Sequence, residues 1–194
     1  CSRLSPYITY GTISLRHIVR TLRERQDYQR TRGQKNWRGS LSSFGSRLRW
    51  HCHFIQKLED EPAIEFENMN RAFDGLRPTE PNERLFEAWK NAETGYPFID
   101  ACMRALKAHG WINFRMRAML ASFSAYHLWL HWREPAKFLG KYFLDFEPGI
   151  HYSQFQMQSG TTGINSVRIY SPIKQVQDHD PEGVFIRQYV PELK

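Results

Sequence analysis

The sequence predicts an all-α fold in which residues 1–194 form a single domain. In several segments the apolar residues recur at the three- and four-residue spacing of an amphipathic helix. Residues that favour helix starts and helix ends flank those segments, which strengthens the prediction. A length of 194 residues is also enough for one hydrophobic core.

Two helices are predicted in the first third of the chain. The first spans about 14–25, with Ser14 or Thr12 as its N-cap. A polar, basic loop follows over 30–38, and the second helix then spans about 40–58. The apolar positions of these two helices are Ile18, Val19, Leu22, Phe44, Leu48, Phe54, Ile55 and Leu58.

The segment 61–82 carries three prolines and scattered charges. We predict that it is a surface connection with at most a short helical turn. An amphipathic helix over 83–93 follows it, and a short helix begins after 180–183 near the end of the chain.

A helix over 97–109 is predicted from its two ends. Pro97 suits the first helical position, where the backbone N–H is unpaired anyway, and Gly110 is a typical residue just after a helix end. The apolar stripe between them consists of Phe98, Ile99, Cys102 and Leu106.

The next segment, 112–132, is apolar nearly all the way round, which predicts a helix buried on every side. Because Arg115, Arg117 and two histidines interrupt it, we do not predict a membrane span. A buried arginine needs an anion, and Asp145 or Glu147 could supply a carboxylate. A purely structural Arg–Asp bridge between two helices explains the same pattern.

The chain has 27 basic and 20 acidic residues, which gives a net charge of +7. Such a surface favours polyanions, of which nucleic acid is the commonest. The sequence shows neither a secretory signal nor a transmembrane run, so we expect a cytoplasmic protein without a membrane partner.

Three cysteines do not form a disulfide framework or a four-cysteine metal site. His51, Cys52 and His53 are adjacent on a predicted helix, where residues two apart point in different directions. We therefore predict no metal site.

Several motifs resemble those of a known family and occur in the same order as in that family. They are CSRLSPYI (1–8), TGYPFIDACMRAL (94–106), GW (110–111), NFRMR (113–117), LHWRE (130–134), RIYSP (168–172), FIR (185–187) and VPEL (190–193). Together they resemble the FAD-binding helical domain of the DNA photolyases and cryptochromes. The chain looks like either a short protein of this type or the C-terminal half of a longer one.

The resemblance implies FAD, bound in a bent conformation within a helical cavity. The cofactor-binding positions that it implies are Ser2, Arg3, Leu4, Ser5, Phe44, Arg47, His51, Phe114, Arg117, Asp145, Glu147 and His151. Arg117, held by Asp145, would lie beside the flavin ring and favour its reduced, anionic state. His151 would face flavin N5, although a buried histidine bonded to the backbone is an equal alternative.

The resemblance also implies catalytic positions at Trp50, Arg115, His151 and Met157. Arg47 departs from the family, because it stands where photolyases usually keep a glutamate that protonates the pyrimidine dimer. In the electron-transfer chain of three tryptophans, Trp132 matches the middle position and Phe155 replaces the one nearest the flavin. Thr79 replaces the outermost one, which breaks that chain.

Three functions remain open at this point. The first is blue-light-driven repair of pyrimidine dimers, with DNA, in particular a single strand, as the partner. The second is a cryptochrome-like photoreceptor that changes its contact with a signalling protein after flavin photoreduction. The third is a flavin-binding protein without light chemistry.

Overall fold

The computed structural model describes residues 2–33, 35–164 and 166–194, and within them the chain forms α-helices and no strand. Cys1, the first residue of the CSRLSPYI motif, lies outside these residues. The helices are α1 (Ser5–Thr9), α2 (Leu15–Thr31), α3 (Arg38–Asp60), α4 (Glu83–Asn91), α5 (Pro97–His109), α6 (Phe114–Ser122), α7 (Arg133–Gly140), α8 (Pro148–Ser159), α9 (Pro172–His179) and α10 (Val184–Tyr189). The prediction of an all-α fold is confirmed.

The helices α2 and α3 form a hairpin with a small core of its own. Ser14 caps α2 as predicted, because its Oγ accepts the N–H of His17 at 3.2 Å. The helix ends at Thr31, later than predicted, and the Asp27–Arg30 pair at 3.0 Å supports its last turn. The hairpin cluster, as we call this core, consists of the buried residues Ile18, Leu22 and Leu48.

A much larger central cluster joins the helices from α4 to α10. Among its members with almost no exposed surface are Trp89, Ile99, Met103, Leu106, Leu120, Phe123, Trp132 and Leu139. The predicted helix over 97–109 lies at its centre, and it ends at Gly110, which has a left-handed backbone with φ of 66°. The helices around the central cluster form what we call the body of the molecule.

The prediction of one helix over 112–132 is wrong. The helix α6 begins only at Phe114, because Asn113 Oδ1 accepts the N–H of Met116 at 3.1 Å. It changes to a π-helical turn over Phe123–His127. The Nε of Arg77 donates to the carbonyl of Ala125 at 2.8 Å, the oxygen that a continuing α-helix would pair with a later N–H.

The prediction that 61–82 is a surface connection is wrong in part, because Ile64 and Arg77 are buried. The side chain of Gln156 on α8 holds this segment against the body. Its Nε2 donates to the carbonyl of Ile64 at 2.9 Å, and its Oε1 accepts the N–H of Met69 at 2.7 Å. Two short 3₁₀ helices, Pro62–Glu65 and Arg71–Phe73, and these side-chain hydrogen bonds pair backbone groups of the segment.

The helices α9 and α10 close the body at its C-terminal end. The carboxylate of Asp180 accepts the N–H groups of Phe185 and Ile186 at 3.0 and 2.9 Å, which fixes the start of α10. In the described part of the chain, no helix combines the length and the apolar character that a bilayer crossing needs.

Candidate functional site

The centre of the site is an ion pair between α6 and the loop before α8. Arg117 donates through Nη1 and Nη2 to the two carboxylate oxygens of Asp145, at 3.0 and 2.9 Å. Its Nε donates to the carbonyl of Ile112 at 2.8 Å, and the guanidinium lies 4.2 Å from the ring centre of Phe143. This two-pronged geometry fixes the guanidinium plane. The Asp145 side chain is almost fully buried, whereas that of Arg117 remains 26% exposed and can present charge to a ligand.

Arg115 does not share this environment, so the prediction that both arginines lie inside a buried helix is wrong for it. Because α6 begins at Phe114, Arg115 lies in the first helical turn and its side chain is exposed. It forms no ion pair with any residue that the structure describes. Asp145 supplies the anion for Arg117 alone, and Glu147 instead caps α8 by accepting the N–H of Ile150 at 2.8 Å.

Trp111 connects the N-terminal segment to Arg117. Its Nε1 donates to Ser5 Oγ at 3.3 Å, and the guanidinium of Arg3 lies 5.1 Å from its ring centre. The guanidinium of Arg117 lies 5.9 Å from the same ring. Ser2, next to Arg3, accepts the N–H of Leu4 at 3.4 Å. Two cations and two hydroxyls are thereby gathered on one side of the site.

This connecting role of Trp111 was not predicted. The sequence contained a signal for it, since Trp111 stands between Gly110, which ends α5, and Asn113, which caps α6. A large aromatic residue in such a short connection is held in a fixed position by both helix ends.

His151 projects from α8 into a cage of aromatic rings. Its Nε2 lies 2.8 Å from the carbonyl oxygen of Ala136. Because a carbonyl can only accept, Nε2 carries the proton and Nδ1 is free to accept one. Desolvation by burial lowers the pKa of His151 to about 4, so the ring is neutral at pH 7. The surrounding rings, with centres 5.0–5.8 Å away, are Phe143, Phe146, Tyr152 and Phe155.

The helix α3 meets α8 where the site begins. Gly149 packs so closely that a Cβ at this position would lie 2.6 Å from the carbonyl oxygen of Phe54. On the same part of α3, the Nδ1 of His51 is buried and has no hydrogen-bond partner among the described residues. Burial lowers the pKa of His51 and outweighs the effect of the Glu147 carboxylate, which raises it.

The remaining predicted positions lie further out. Arg47, Trp50 and Phe114 are exposed, with 47% and 54% of the two aromatic residues accessible. Phe44 packs partly against the hairpin cluster, and Met157 on α8 is partly exposed. Trp50 stacks on Phe54 with ring centres 5.5 Å apart. Of the predicted catalytic side chains, Trp50 and Arg115 therefore stand at the surface, while His151 and Met157 on α8 are partly exposed.

The predicted electron-transfer positions belong to a buried line of rings. Trp132 is fully buried and its Nε1 donates to Asn68 Oδ1 at 2.8 Å. Tyr152 lies between Trp132 and His151, with ring-centre distances of 6.3 and 5.5 Å. Burial raises the pKa of Tyr152, and the Glu65 carboxylate raises it further. Phe155 is 5.0 Å from His151 on the other side.

The donors present at this site fit FAD. Arg3 and Arg117 supply cations for its phosphates or its ring, and Ser2 and Ser5 supply hydroxyls. The unpartnered Nδ1 of His51 is a buried polar atom of the kind that a ligand satisfies. No group of His, Cys, Asp and Glu within the described residues is arranged to hold a metal ion.

Comparisons with known proteins agree with this fit. Residues 44–194 match the family described as the FAD binding domain of DNA photolyase. The deoxyribodipyrimidine photo-lyase of Streptomyces griseus is 32% identical over 195 residues, which are 99% of this chain and 39% of that protein. Cryptochrome-2 of Arabidopsis thaliana is 32% identical over 198 residues, 99% of this chain and 32% of that protein.

Two solved structures have the same helical architecture. A bacterial class III photolyase from Agrobacterium tumefaciens superposes with a TM-score of 0.87 at 30% identity, covering 100% of this chain and 39% of that one. An archaeal photolyase from Sulfolobus tokodaii with two FAD molecules gives 0.81 at 33% identity, covering 98% and 41%. This chain thus spans about two fifths of the length of the photolyases that it matches.

Proposed function

Because the chain belongs to the family of FAD-binding domains of DNA photolyases, we propose that it uses light to split pyrimidine dimers in DNA. We further propose that residues 1–194 act as one FAD-binding unit. The observation that carries the proposal is the Arg117–Asp145 pair, a fixed and partly exposed guanidinium beside the neutral His151.

When bound in its reduced form, FAD supplies light absorption and one electron, which the opened dimer returns, so that no net oxidant is needed. Arg117 contributes a positive charge that favours the anionic ring, and Asp145 keeps that charge in place. Arg3, Ser2 and Ser5 bind the phosphates.

His151 contributes a hydrogen-bond acceptor of fixed orientation. Its Nε2 holds the proton against the carbonyl of Ala136, so its Nδ1 can only accept while the ring is neutral. The rings of Phe146 and Phe155, with centres 5.1 and 5.0 Å from the imidazole, fix the orientation of this nitrogen.

The substrate side of the site is formed by exposed aromatic and basic side chains. A flipped-out dimer can pack on Trp50, with Met157 as an adaptable apolar wall. Arg115 and Arg47 supply positive charge for the neighbouring phosphates. Arg47 cannot donate a proton to the dimer as a carboxylic acid does. We expect a single strand as the substrate, because no duplex has to be opened.

The test combines a spectrum with an illumination experiment. The purified protein is reconstituted with FAD, and blue light and a reductant are applied together with a dimer-containing oligothymidine. The proposal predicts a flavin absorption band that corresponds to about one FAD per protein. It also predicts that thymine absorbance recovers only in the light. Arg117→Gln should lose both, whereas the exposed control Arg84→Gln should keep both. A flavin band without thymine recovery would refute repair.

A second candidate function is light signalling, favoured by Arg47 and by the similarity to Cryptochrome-2. In this case the chain would photoreduce its flavin and alter a surface that another protein contacts. Arg47→Glu separates the two hypotheses. Repair by this variant but not by the natural chain would support signalling, since it would show that the arginine had removed the repair activity.

A further inference from the structure

The positive charge of the chain is confined to one part of it. Residues 14–60, which comprise the α2–α3 hairpin, contain eleven lysines and arginines and four acidic residues, Glu24, Asp27, Glu59 and Asp60. The rest of the chain contains sixteen basic and sixteen acidic residues. The hairpin thus carries a charge of +7 and the remainder is neutral, so the net charge of +7 comes entirely from the hairpin.

Most of these cations are available to a ligand. The carboxylates of Glu24 and Asp27 pair with Arg20 at 3.8 Å and with Arg30 at 3.0 Å. The other nine cations form no ion pair within the described residues. They are Arg16, Arg23, Arg25, Arg32, Lys35, Arg38, Arg47, Arg49 and Lys57.

A groove runs between α2 and α3 on this charged surface. It encloses about 450 Å³ and has an apolar floor with cations on its rim, Arg23 from α2 and Arg49 from α3. A second depression of about 270 Å³ on α3 shares Arg49 and His53 with the groove and reaches Trp50. Among the described residues, no carboxylate lines either of them. The residues of the floor are Leu15, Val19, Leu22, Gly45 and Leu48.

We propose that this groove is a binding site for single-stranded DNA, distinct from the flavin site. Arg23 and Arg49 would pair with the phosphates, while bases would lie on Trp50 and on the apolar floor. The inference rests on the proposed function in one respect, because Trp50 also faces the dimer. The groove would thus guide a strand towards the site of repair.

The side chains of the groove favour single-stranded DNA over a duplex, an acidic protein or a membrane surface. Apolar surface and an exposed indole can bind the faces of nucleobases, and those faces are hidden inside a duplex. An acidic protein would require cations but no aromatic platform at the end of the groove. A membrane surface would contact the outermost side chains of the helices, whereas the apolar residues and the two arginines here line a groove between them.

The test measures binding of an undamaged, fluorescent oligothymidine in the dark by anisotropy, over a range of salt concentrations. The double variant Arg23→Ala/Arg49→Ala should bind at least about tenfold more weakly, with a salt slope smaller by about 1.4, since each phosphate contact in a single strand contributes about 0.7. The control Arg84→Ala/Lys141→Ala removes two exposed cations outside the hairpin. It should stay within about twofold of the natural chain.

Equal weakening in the two double variants would overturn the proposal, as would equally tight binding of duplex, heparin or anionic vesicles by the natural chain. Photocrosslinking of a strand that contains 5-iododeoxyuridine supplies a measurement without any variant. Crosslinks should fall in residues 15–26 or 42–56, the two walls of the groove, and crosslinks found only elsewhere would contradict it.

The binding test of the groove and the test of light-driven repair can fail separately. If the groove binds the strand but no thymine is recovered in the light, the proposed repair fails and the groove stands. If repair proceeds and the hairpin double variant has an unchanged KM for the strand, the groove fails and the repair stands.

Discussion

The α2–α3 hairpin and the body of the molecule differ in what stabilises them. Three buried apolar residues form the hairpin cluster, whereas twenty-five form the central cluster, counted over the described residues. The hairpin also concentrates like charges, which repel one another. The body can hold Arg117, Asp145 and His151 in position by itself, while the hairpin depends more on what it contacts.

The hairpin meets the body along the packing of α3 against α8, and two contacts mark this boundary at the flavin site. One is the hydrogen bond from Trp111 to Ser5, and the other is the close approach of Gly149 to the backbone of Phe54. A ligand that bridges both sides binds the assembled form and stabilises it by mass action. FAD should therefore act as a structural element of the hairpin and leave the body almost unchanged.

The largest expected difference in unfolding free energy comes from substituting one leucine by alanine in each region. Leu120→Ala in the central cluster should cost about 3–4 kcal/mol of unfolding free energy, because a fully buried leucine leaves a cavity. Leu22→Ala in the hairpin cluster should cost roughly 1–2 kcal/mol, since its thin surroundings can collapse. Urea unfolding of the cofactor-free protein measures both, and equal costs would refute the distinction.

The contact between α3 of the hairpin and α8 of the body is tested by substituting Gly149. Gly149→Ala should destabilise the protein by about 2 kcal/mol and weaken FAD binding, because the new Cβ would push α3 from α8. Gly39→Ala in α3 is the matched control. A Cβ added there would meet no described atom within 4 Å, so this variant should be neutral or stabilising. Thermal unfolding and flavin titration compare the two variants, and equal behaviour would show that the contact at Gly149 does not join the regions.

The body should have a larger pH dependence than the hairpin, although burial lowers the pKa of one histidine in each, His151 in the body and His51 in the hairpin. His151 has a folded pKa of about 4 against an ordinary value of 6.5, so the unfolded state binds more protons between these values. Its contribution to stability is therefore complete above pH 6.5 and falls as the pH drops towards 4, by roughly 2–3 kcal/mol. His151→Asn should flatten this part of the profile, and parallel profiles for the two proteins would contradict the assignment.

The smallest effect concerns salt. Raising NaCl from about 50 to about 500 mM should increase the hydrogen-exchange protection of α2 by about two- to threefold, because screening weakens repulsion among exposed cations. Protection of α5 should not change, since its stability comes from apolar burial. A loss of protection in α2 at high salt would mean that ion pairs stabilise the hairpin.

The parts of the fold that could be predicted are those decided by neighbours in sequence. Pro97 and Gly110 mark the ends of α5 within the segment itself, and Ser14 caps α2 three residues from its donor. The π-helical turn after α6 depends on Arg77, which lies 48 residues away from Ala125. No local pattern contains that information.

The same rule applies to the site. The pairing of Arg117 with Asp145 could be predicted because a buried arginine demands an anion. The exposure of Arg115 could not, since it follows from where α6 starts within an unbroken apolar run. The hydrogen bond from His151 to Ala136 could not be predicted either, because it joins two helices whose packing is not encoded in a local sequence pattern.

The most direct test of the hairpin's dependence on the cofactor is hydrogen exchange of the whole chain, with and without FAD. We expect the amides of α5, α6 and α8 to be strongly protected in both states, and those of α2 and α3 to gain at least about tenfold protection when FAD binds. A hairpin as protected as the body without FAD, or one that FAD leaves unchanged, would contradict the claim that the cofactor joins the two regions.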